Sequence, residues 1–296
     1  MGRVNHIPLH DLHCHLDFAR DMRSVASDAA KNGSLIFANT VTPLGFCEAR
    51  KRLVQSERWQ DPEQIKLREP SQNSDRQDSN RPQDLYRSIK LGVGLHPWYI
   101  EHVGTLHQQL DLFDEQLATT RFVGEVGLDF SKQRASSAEK QIEAFTHIVS
   151  LCAKEGDKLL SIHAIKSAKE VIDALESSGA ITSCQCIFHW FSGPSDQLQR
   201  AIKARCYFSV GPFMANSRRG HEYIKQIPAE QLLLETDYPS TKDGVTYDPL
   251  TMEPRVDLSF SQINNALSIA ANVVTETKNV DALLEIDDTA RQLLAS

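Results

Sequence analysis

Asp11-Leu12-His13-Cys14-His15-Leu16-Asp17 lies near the start of a chain of 296 residues. Read as a β-strand, it puts residues two apart on one face. His13 and His15 then project together, with Cys14 turned the other way and Asp11 on the histidine face. Two imidazoles side by side on a rigid strand make half of a metal site. A pair this short also arises by chance, so its reading depends on what the other strands bring to the same place.

Working outward, short apolar runs recur at Leu9–His15, Ser34–Thr40, Lys90–His96, Arg121–Val126, Lys158–His163, Gln185–His189, Cys206–Val210 and Leu232–Thr236. They are apolar on both faces, as strands covered by helices are. Amphipathic stretches separate several of them. Ser136 with Glu139 reads as a capping box before a stripe of Ile142, Phe145, Val149 and Cys152, with Gly156 as the stop. Ser167 with Glu170 reads as a second box before Val171, Ile172 and Leu175, with Gly179 as the stop. Strands alternating with helices predict an α/β fold, a single parallel (β/α)8 TIM barrel, with a doubly wound sheet as the alternative. After Thr251 the spacing predicts helices carrying Ile263, Leu267, Ile269, Leu283, Leu284, Leu293 and Leu294. They are expected to close the barrel, so residues 1–296 read as one domain. Between strands two and three, a helix is predicted within Phe46 to Trp59. The segment 61–84, rich in Gln, Asn, Ser, Asp and Arg, reads as a solvated insertion.

The chain is 41% hydrophobic and 24% charged, an ordinary globular composition. No apolar run approaches the roughly 20 residues of a membrane helix, and the N-terminus lacks a signal-peptide layout. The expectation is a cytoplasmic protein. The cysteines Cys14, Cys47, Cys152, Cys184, Cys186 and Cys206 form no C-x-x-C pair, which argues for small buried residues rather than a thiolate metal site. A formal net charge of −7 argues against a protein that coats nucleic acid electrostatically. It leaves room for an enzyme that grips a few phosphates, since bound cations offset carboxylates.

The polar residues fall at the ends of the proposed strands. The first contributes His13 and His15, the third His96, the fourth Glu125, the fifth His163, the sixth His189, and the eighth Asp237. In a (β/α)8 barrel those ends share one face, where active sites are built. Each residue alone has an ordinary structural reading: a hydrogen-bonded histidine, a helix-capping Glu125, a turn at Asp237. Together, so many imidazoles and carboxylates would be costly to cluster without a cation. Six candidate ligands exceed what one tetrahedral zinc needs. Two divalent ions about 4 Å apart, sharing a carboxylate and a bridging hydroxide, fit better. Imidazole and carboxylate without thiolate suit Zn, Mn, Mg or Fe. His102, His107, His147 and His221 lie on polar stretches and read as surface residues.

Asp11–Asp17, Gly94-Leu-His-Pro97, Gly124-Glu-Val-Gly-Leu-Asp129, Ser161-Ile-His163, His189-Trp-Phe-Ser-Gly193 and Leu234-Glu-Thr-Asp-Tyr-Pro239 resemble, in order, the motifs of the TatD family of metal-dependent deoxyribonucleases. The resemblance runs from Asp11 to Pro239. It implies a TIM barrel of the amidohydrolase superfamily that hydrolyses phosphodiester bonds in DNA, with water activated by a two-metal centre. It also implies roles: His13, His15 and Asp237 on one metal, His163 and His189 on the other, Glu125 bridging, and His96 near the scissile phosphate. Apart from the resemblance, Asp237 is expected to accept the water's proton while holding one metal, and Asp11, on the histidine face of its strand, to orient the ligands from behind. Leu160-Ser-Ile-His163, Phe188-His-Trp-Phe-Ser-Gly193 and Tyr207-Phe-Ser-Val-Gly-Pro212 look closest to the QatD-like branch, encoded in bacterial anti-phage operons. That implies operon-encoded proteins as partners.

The chain departs from the family pattern at His163-Ala164-Ile165, where an arginine usually follows the histidine, which leaves Lys166 as the candidate phosphate contact. It departs again at Pro239-Ser240-Thr241 and in the polar insertion. Two other readings stay open: amidohydrolase-type cleavage of an amide or ester on the same ligands, and a largely non-catalytic docking subunit of a defence complex.

Overall fold

The computed structural model describes residues 7–54, 87–239, 248, 253 and 255–295, so the expected insertion at 61–84 lies outside the described residues. Eight strands pair in parallel in chain order: β1 (Asp11–Cys14), β2 (Ile36–Asn39), β3 (Ile89–Leu95), β4 (Phe122–Asp129), β5 (Leu159–Ile165), β6 (Gln185–His189), β7 (Tyr207–Val210) and β8 (Leu232–Leu234). Backbone bonds bring the last edge to the first: Asp237 N–H donates to His13 O and His15 N–H to Tyr238 O, both at 2.8 Å. The result is a TIM barrel, as the alternation of strands and helices predicts.

Helices α1 (Met22–Asn32), α2 (Pro43–Val54), α3 (Leu106–Leu117), α4 (Ala138–Glu155), α5 (Ala168–Ser178), α6 (Ala180–Ser183), α7 (Ser195–Lys203), α8 (Pro212–Ala215), α9 (Arg218–Gln226), α10 (Phe260–Thr277) and α11 (Asp281–Leu294) are the helices of the described residues. Their apolar stripes and the outward faces of the strands share one core, to which Phe113, Phe145, Ile148, Val171 and Val274 contribute. The inside of the barrel is separate. Leu12, Phe37, Phe122, Leu159, Ile187 and Leu233 meet there near the strand starts, and Ala290, Leu293 and Leu294 of α11 cover them. Phe37 is fully buried in that plug, and its truncation to alanine costs about 3–5 kcal/mol. One end of the barrel is thus filled with hydrocarbon, and the polar strand ends are left for the other.

Several local expectations change. The N-cap of α4 is Ser137 rather than Ser136, and its side chain makes no capping bond. The Ser137 hydroxyl donates to Arg134 O and accepts from Gln141 Nε2 instead. Ser167 does sit at the N-cap of α5, but its hydroxyl donates to Leu128 O at 2.7 Å, tying the helix to β4. Gly156 and Gly179 end their helices with positive φ, as predicted. The helix predicted within Phe46 to Trp59 begins earlier, at Pro43; its part beyond Val54 lies outside the described residues. Ile269 and Leu284 are 46% and 51% exposed, so they take no part in closing the barrel.

His10, which sequence reasoning passed over, is buried and fastens α11 to the barrel. Its Nδ1 accepts from Leu35 N–H at 2.9 Å, which fixes the neutral tautomer with Nε2–H donating to Asp287 Oδ1 at 2.7 Å. Burial outweighs the pull of Asp287 and holds the imidazole below its ordinary value of 6.5. The unfolded chain therefore takes up a proton at His10 before the folded protein does, and stability falls as pH drops below 6.5. His10→Gln is expected to lower unfolding free energy by about 1–3 kcal/mol at neutral pH. It should also flatten the loss of stability between neutral pH and about pH 5. Denaturant titrations across that range check both.

Candidate metal centre

Glu125 is 1% exposed and stands where the strand ends converge. A normal strand would not aim it there. Pairing slips between Val93 and Leu95 of β3 and between Val123 and Val126 of β4, a bulge of the kind that redirects side chains near active sites. The displaced peptide is clasped from β2: Thr40 N–H donates to Gly124 O, and Glu125 N–H donates to Thr40 O, each at 2.9 Å. The close approach requires glycine. A Cβ on Gly124 would lie 1.9 Å from Asn39 Oδ1, and one on Gly94 would lie 1.8 Å from Thr40 O.

The two carboxylate oxygens of Glu125 face different imidazoles. Oε2 lies 3.3 Å from His13 Nε2 and 3.1 Å from His15 Nε2. Oε1 lies 2.7 Å from His163 Nδ1, 3.2 Å from His189 Nε2 and 3.2 Å from His96 Nε2. Asp237 joins the first group, its Oδ1 3.7 Å from His13 Nε2 and 3.5 Å from His15 Nε2. The tertiary structure thus brings His13, His15, His96, Glu125, His163, His189 and Asp237 into one cluster. Lys166 is not in it: the residue is exposed, and the neighbouring Ile165 lines the cavity instead.

The charges explain one another. Burial opposes ionisation of Glu125, but His96, His189 and His13 around it hold its carboxyl well below the usual range. Burial likewise opposes protonation of His15, His163 and His189. Glu125 outweighs it for His15, lifting that imidazole to about 9; Asp129 and Glu125 together raise His163, and Glu125 with Glu235 raises His189 well above normal. His13 goes the other way, pushed well down by burial and by His189, whose ring stacks on it at 3.9 Å. Burial raises Asp237 to about 6. Protons therefore do here what a divalent cation would do.

The donor set fits a metal. The triads His13–His15–Glu125, His13–His189–Glu235 and His96–Glu125–His163 each bring their ligand atoms within 4.8 Å of one another. His13 Nε2 is buried with no hydrogen-bond partner. Its Nδ1 lies 2.6 Å from Ser161 Oγ; with Nδ1–H donating there, Nε2 offers a lone pair to the centre.

Sequence reasoning missed the groups behind the cluster. Asp129 Oδ2 lies 3.4 Å from His163 Nε2 and accepts from the Trp98 indole N–H at 2.6 Å. Glu235 Oε2 lies 3.5 Å from His189 Nδ1 and accepts from the Ser209 hydroxyl. Both carboxylates stand in the quoted motifs; Glu235 is two residues before Asp237, a spacing that could have drawn attention. Asp11 bonds to the backbone beside the cluster rather than to its imidazoles. Its Oδ1 accepts from His13 N–H and Thr236 N–H, and its Oδ2 from the Thr236 hydroxyl. Burial pushes its carboxyl up to about 8.

The cluster floors a cavity of about 280 Å³ walled by Phe18, Val41, Trp98, Tyr99, Ala164, Ile165, Trp190 and Pro239. A family model described as TatD related DNase matches residues 10–282. The chain belongs to the TatD related DNase family. The chain is 26% identical to the human Deoxyribonuclease TATDN3 over 165 residues, 54% of this chain and 58% of that protein. It is 29% identical to the 3'-5' ssDNA/RNA exonuclease TatD of Yersinia pseudotuberculosis over 158 residues, 50% and 56% of the two chains. It is also similar to an uncharacterized metal-dependent hydrolase, YabD of Bacillus subtilis, at 30% over 158 residues, 52% and 60%. The chain thus spans less than two thirds of the length of these curated relatives. Its fold follows that of YJJV, a TatD homolog of Escherichia coli, with a TM-score of 0.67 at 19% identity over 97% of this chain and 98% of that one. Among the described residues of this TatD-family chain, no helix is long and apolar enough to cross a membrane.

Because His15, His163 and His189 are raised, metal uptake near neutral pH is expected to release protons and to weaken as pH falls. Calorimetric titration of Zn²⁺ or Mn²⁺ in buffers of different ionisation enthalpy measures the release. Asp129→Asn and Glu235→Gln, which loosen the groups behind His163 and His189, should weaken metal affinity by about 10–100-fold in a chelator competition assay.

Proposed function

We propose that this protein hydrolyses phosphodiester bonds of DNA with a two-metal centre built on Glu125. The observation that carries the reading is the division of the imidazoles between its two oxygens. In this reading His13, His15 and Asp237 would hold one ion and His163 and His189 the other, with Glu125 as the carboxylate common to both. Divalent cations bound there supply Lewis acidity toward phosphoryl oxygens and acidify a water molecule.

The chain's own residues do the rest. Asp237, with its carboxyl raised to about 6 by burial, is placed to take the proton of the attacking water. His96 differs from the ligands. Its Nδ1 accepts from Trp98 N–H at 3.0 Å, so Nε2 carries the hydrogen. Burial lowers it to about 4, which keeps it neutral. In this reading that hydrogen, which faces Glu125 Oε1 at 3.2 Å, would be donated to a non-bridging phosphoryl oxygen. The activity named for the Yersinia relative supports a nucleic-acid strand as substrate. The resemblance of Phe188–Gly193 and Tyr207–Pro212 to the QatD-like branch supports a place in bacterial anti-phage defence beside other operon-encoded proteins. If that role were docking alone, His163→Ala would lose metal and still protect cells in a plaque assay.

One observation favours a second reading, cleavage of a neutral amide or ester: among the described residues no Lys or Arg lines the cavity. Assays on end-labelled DNA and on amide and ester substrates, with and without chelator, separate the two. Asp237→Asn and Glu125→Gln are each expected to lower DNA cleavage on the order of 10³-fold or more while leaving the circular dichroism spectrum unchanged. Near-wild-type cleavage by either variant would overturn the mechanism.

A further inference from the structure

Trp190 follows His189 directly and holds φ at 41°, a left-handed backbone that bulky residues seldom adopt. Its indole lines the cavity. Phe213, 42% exposed on α8, stacks parallel to that indole with centroids 5.7 Å apart and an interplanar angle of 8°. The other aromatic wall comes from the end of β3, with β4 and β5 between it and β6 in the ring. There the Trp98 ring is held edge-on by Asp129, and the Arg134 guanidinium sits 4.8 Å over it. Ile165 also lines the cavity.

We infer that the Trp190–Phe213 wall is a stacking subsite for an unpaired nucleobase flanking the scissile phosphate. The inference rests on the nuclease reading and names how such a substrate is gripped. Among the described residues no Lys or Arg lines the cavity, and its walls are aromatic and aliphatic. Aromatic faces supply the remaining hold, and they do so for any base, since every base has a π-face. Two consequences follow: tolerance of base identity and exclusion of paired bases.

The test uses single-stranded oligonucleotides with either a normal nucleotide or an abasic one beside the cleaved bond, and metal-loaded wild type, Trp190→Ala and Trp190→Phe. Trp190→Ala is expected to raise KM about tenfold with kcat within about twofold, and Trp190→Phe to restore most of the loss. The abasic substrate should reproduce the Trp190→Ala defect on wild type and add nothing to the variant. A second readout needs no metal or turnover: dAMP should quench tryptophan fluorescence of the metal-free protein, 2-deoxyribose 5-phosphate should not, and Trp190→Phe should remove the difference. Unchanged KM for Trp190→Ala together with equal cleavage of the abasic strand overturns the subsite and leaves the nuclease reading standing. Base-dependent quenching without cleavage of any oligonucleotide upholds the subsite and overturns the nuclease reading.

Discussion

One carboxylate inside a ring of imidazoles sets the terms for everything else at this site. Glu125 is almost fully buried, and an isolated ion there would carry a large desolvation penalty. Five histidine nitrogens stand around its two oxygens at 2.7 to 3.3 Å, and the raised imidazoles of His15, His163 and His189 offset that penalty. Its charge in turn helps to raise three of those imidazoles against the cost of burial. A divalent cation bound there would take the place of the protons that these groups share.

Holding Glu125 there constrains the backbone well beyond the residue itself. The bulge across β3 and β4 moves its peptide inward, Thr40 clasps it from β2, and Gly94 and Gly124 leave out the side chains that would collide. On the far side of the ring, Asp11 ties the end of β8 to β1 and so keeps Asp237 near His13 and His15. Behind these, Asp129, Glu235 and Ser161 each face the second nitrogen of one imidazole. The opposite end of the barrel is filled by side chains under α11, while the cavity opens at the polar strand ends. The aromatic walls around them are continuous with this framework: the same Asp129 that faces His163 also fixes Trp98.

The fold was largely legible in the sequence. Buried parallel strands must be apolar on both faces, so each of the eight announced itself, and turn glycines marked helix ends. Local polar signals were less reliable. The hydroxyl of Ser167 was more useful bonding to Leu128 O on β4 than capping its own helix, a competition that only packing decides. Strict alternation was also too simple for β1. Leu12 lies in the barrel interior and Cys14, two residues on, in the outer core, because pairing shifts between Asp11 and Cys14. His13 and His15 still converge on Glu125 Oε2, as the spacing suggested.

Sequence by itself determined which residue types stand at which strand ends, because chain order and strand order coincide in this barrel. It therefore determined His13, His15, His96, Glu125, His163, His189 and Asp237 as one convergent set. Tertiary structure alone decided how that set divides. Which oxygen of Glu125 faces which imidazole, that His96 carries its hydrogen on Nε2, and that Ile165 rather than Lys166 lines the cavity all depend on bulges and on side chains from distant elements. A spacing in sequence fixes a direction only where the backbone is regular, and around Glu125 it is not.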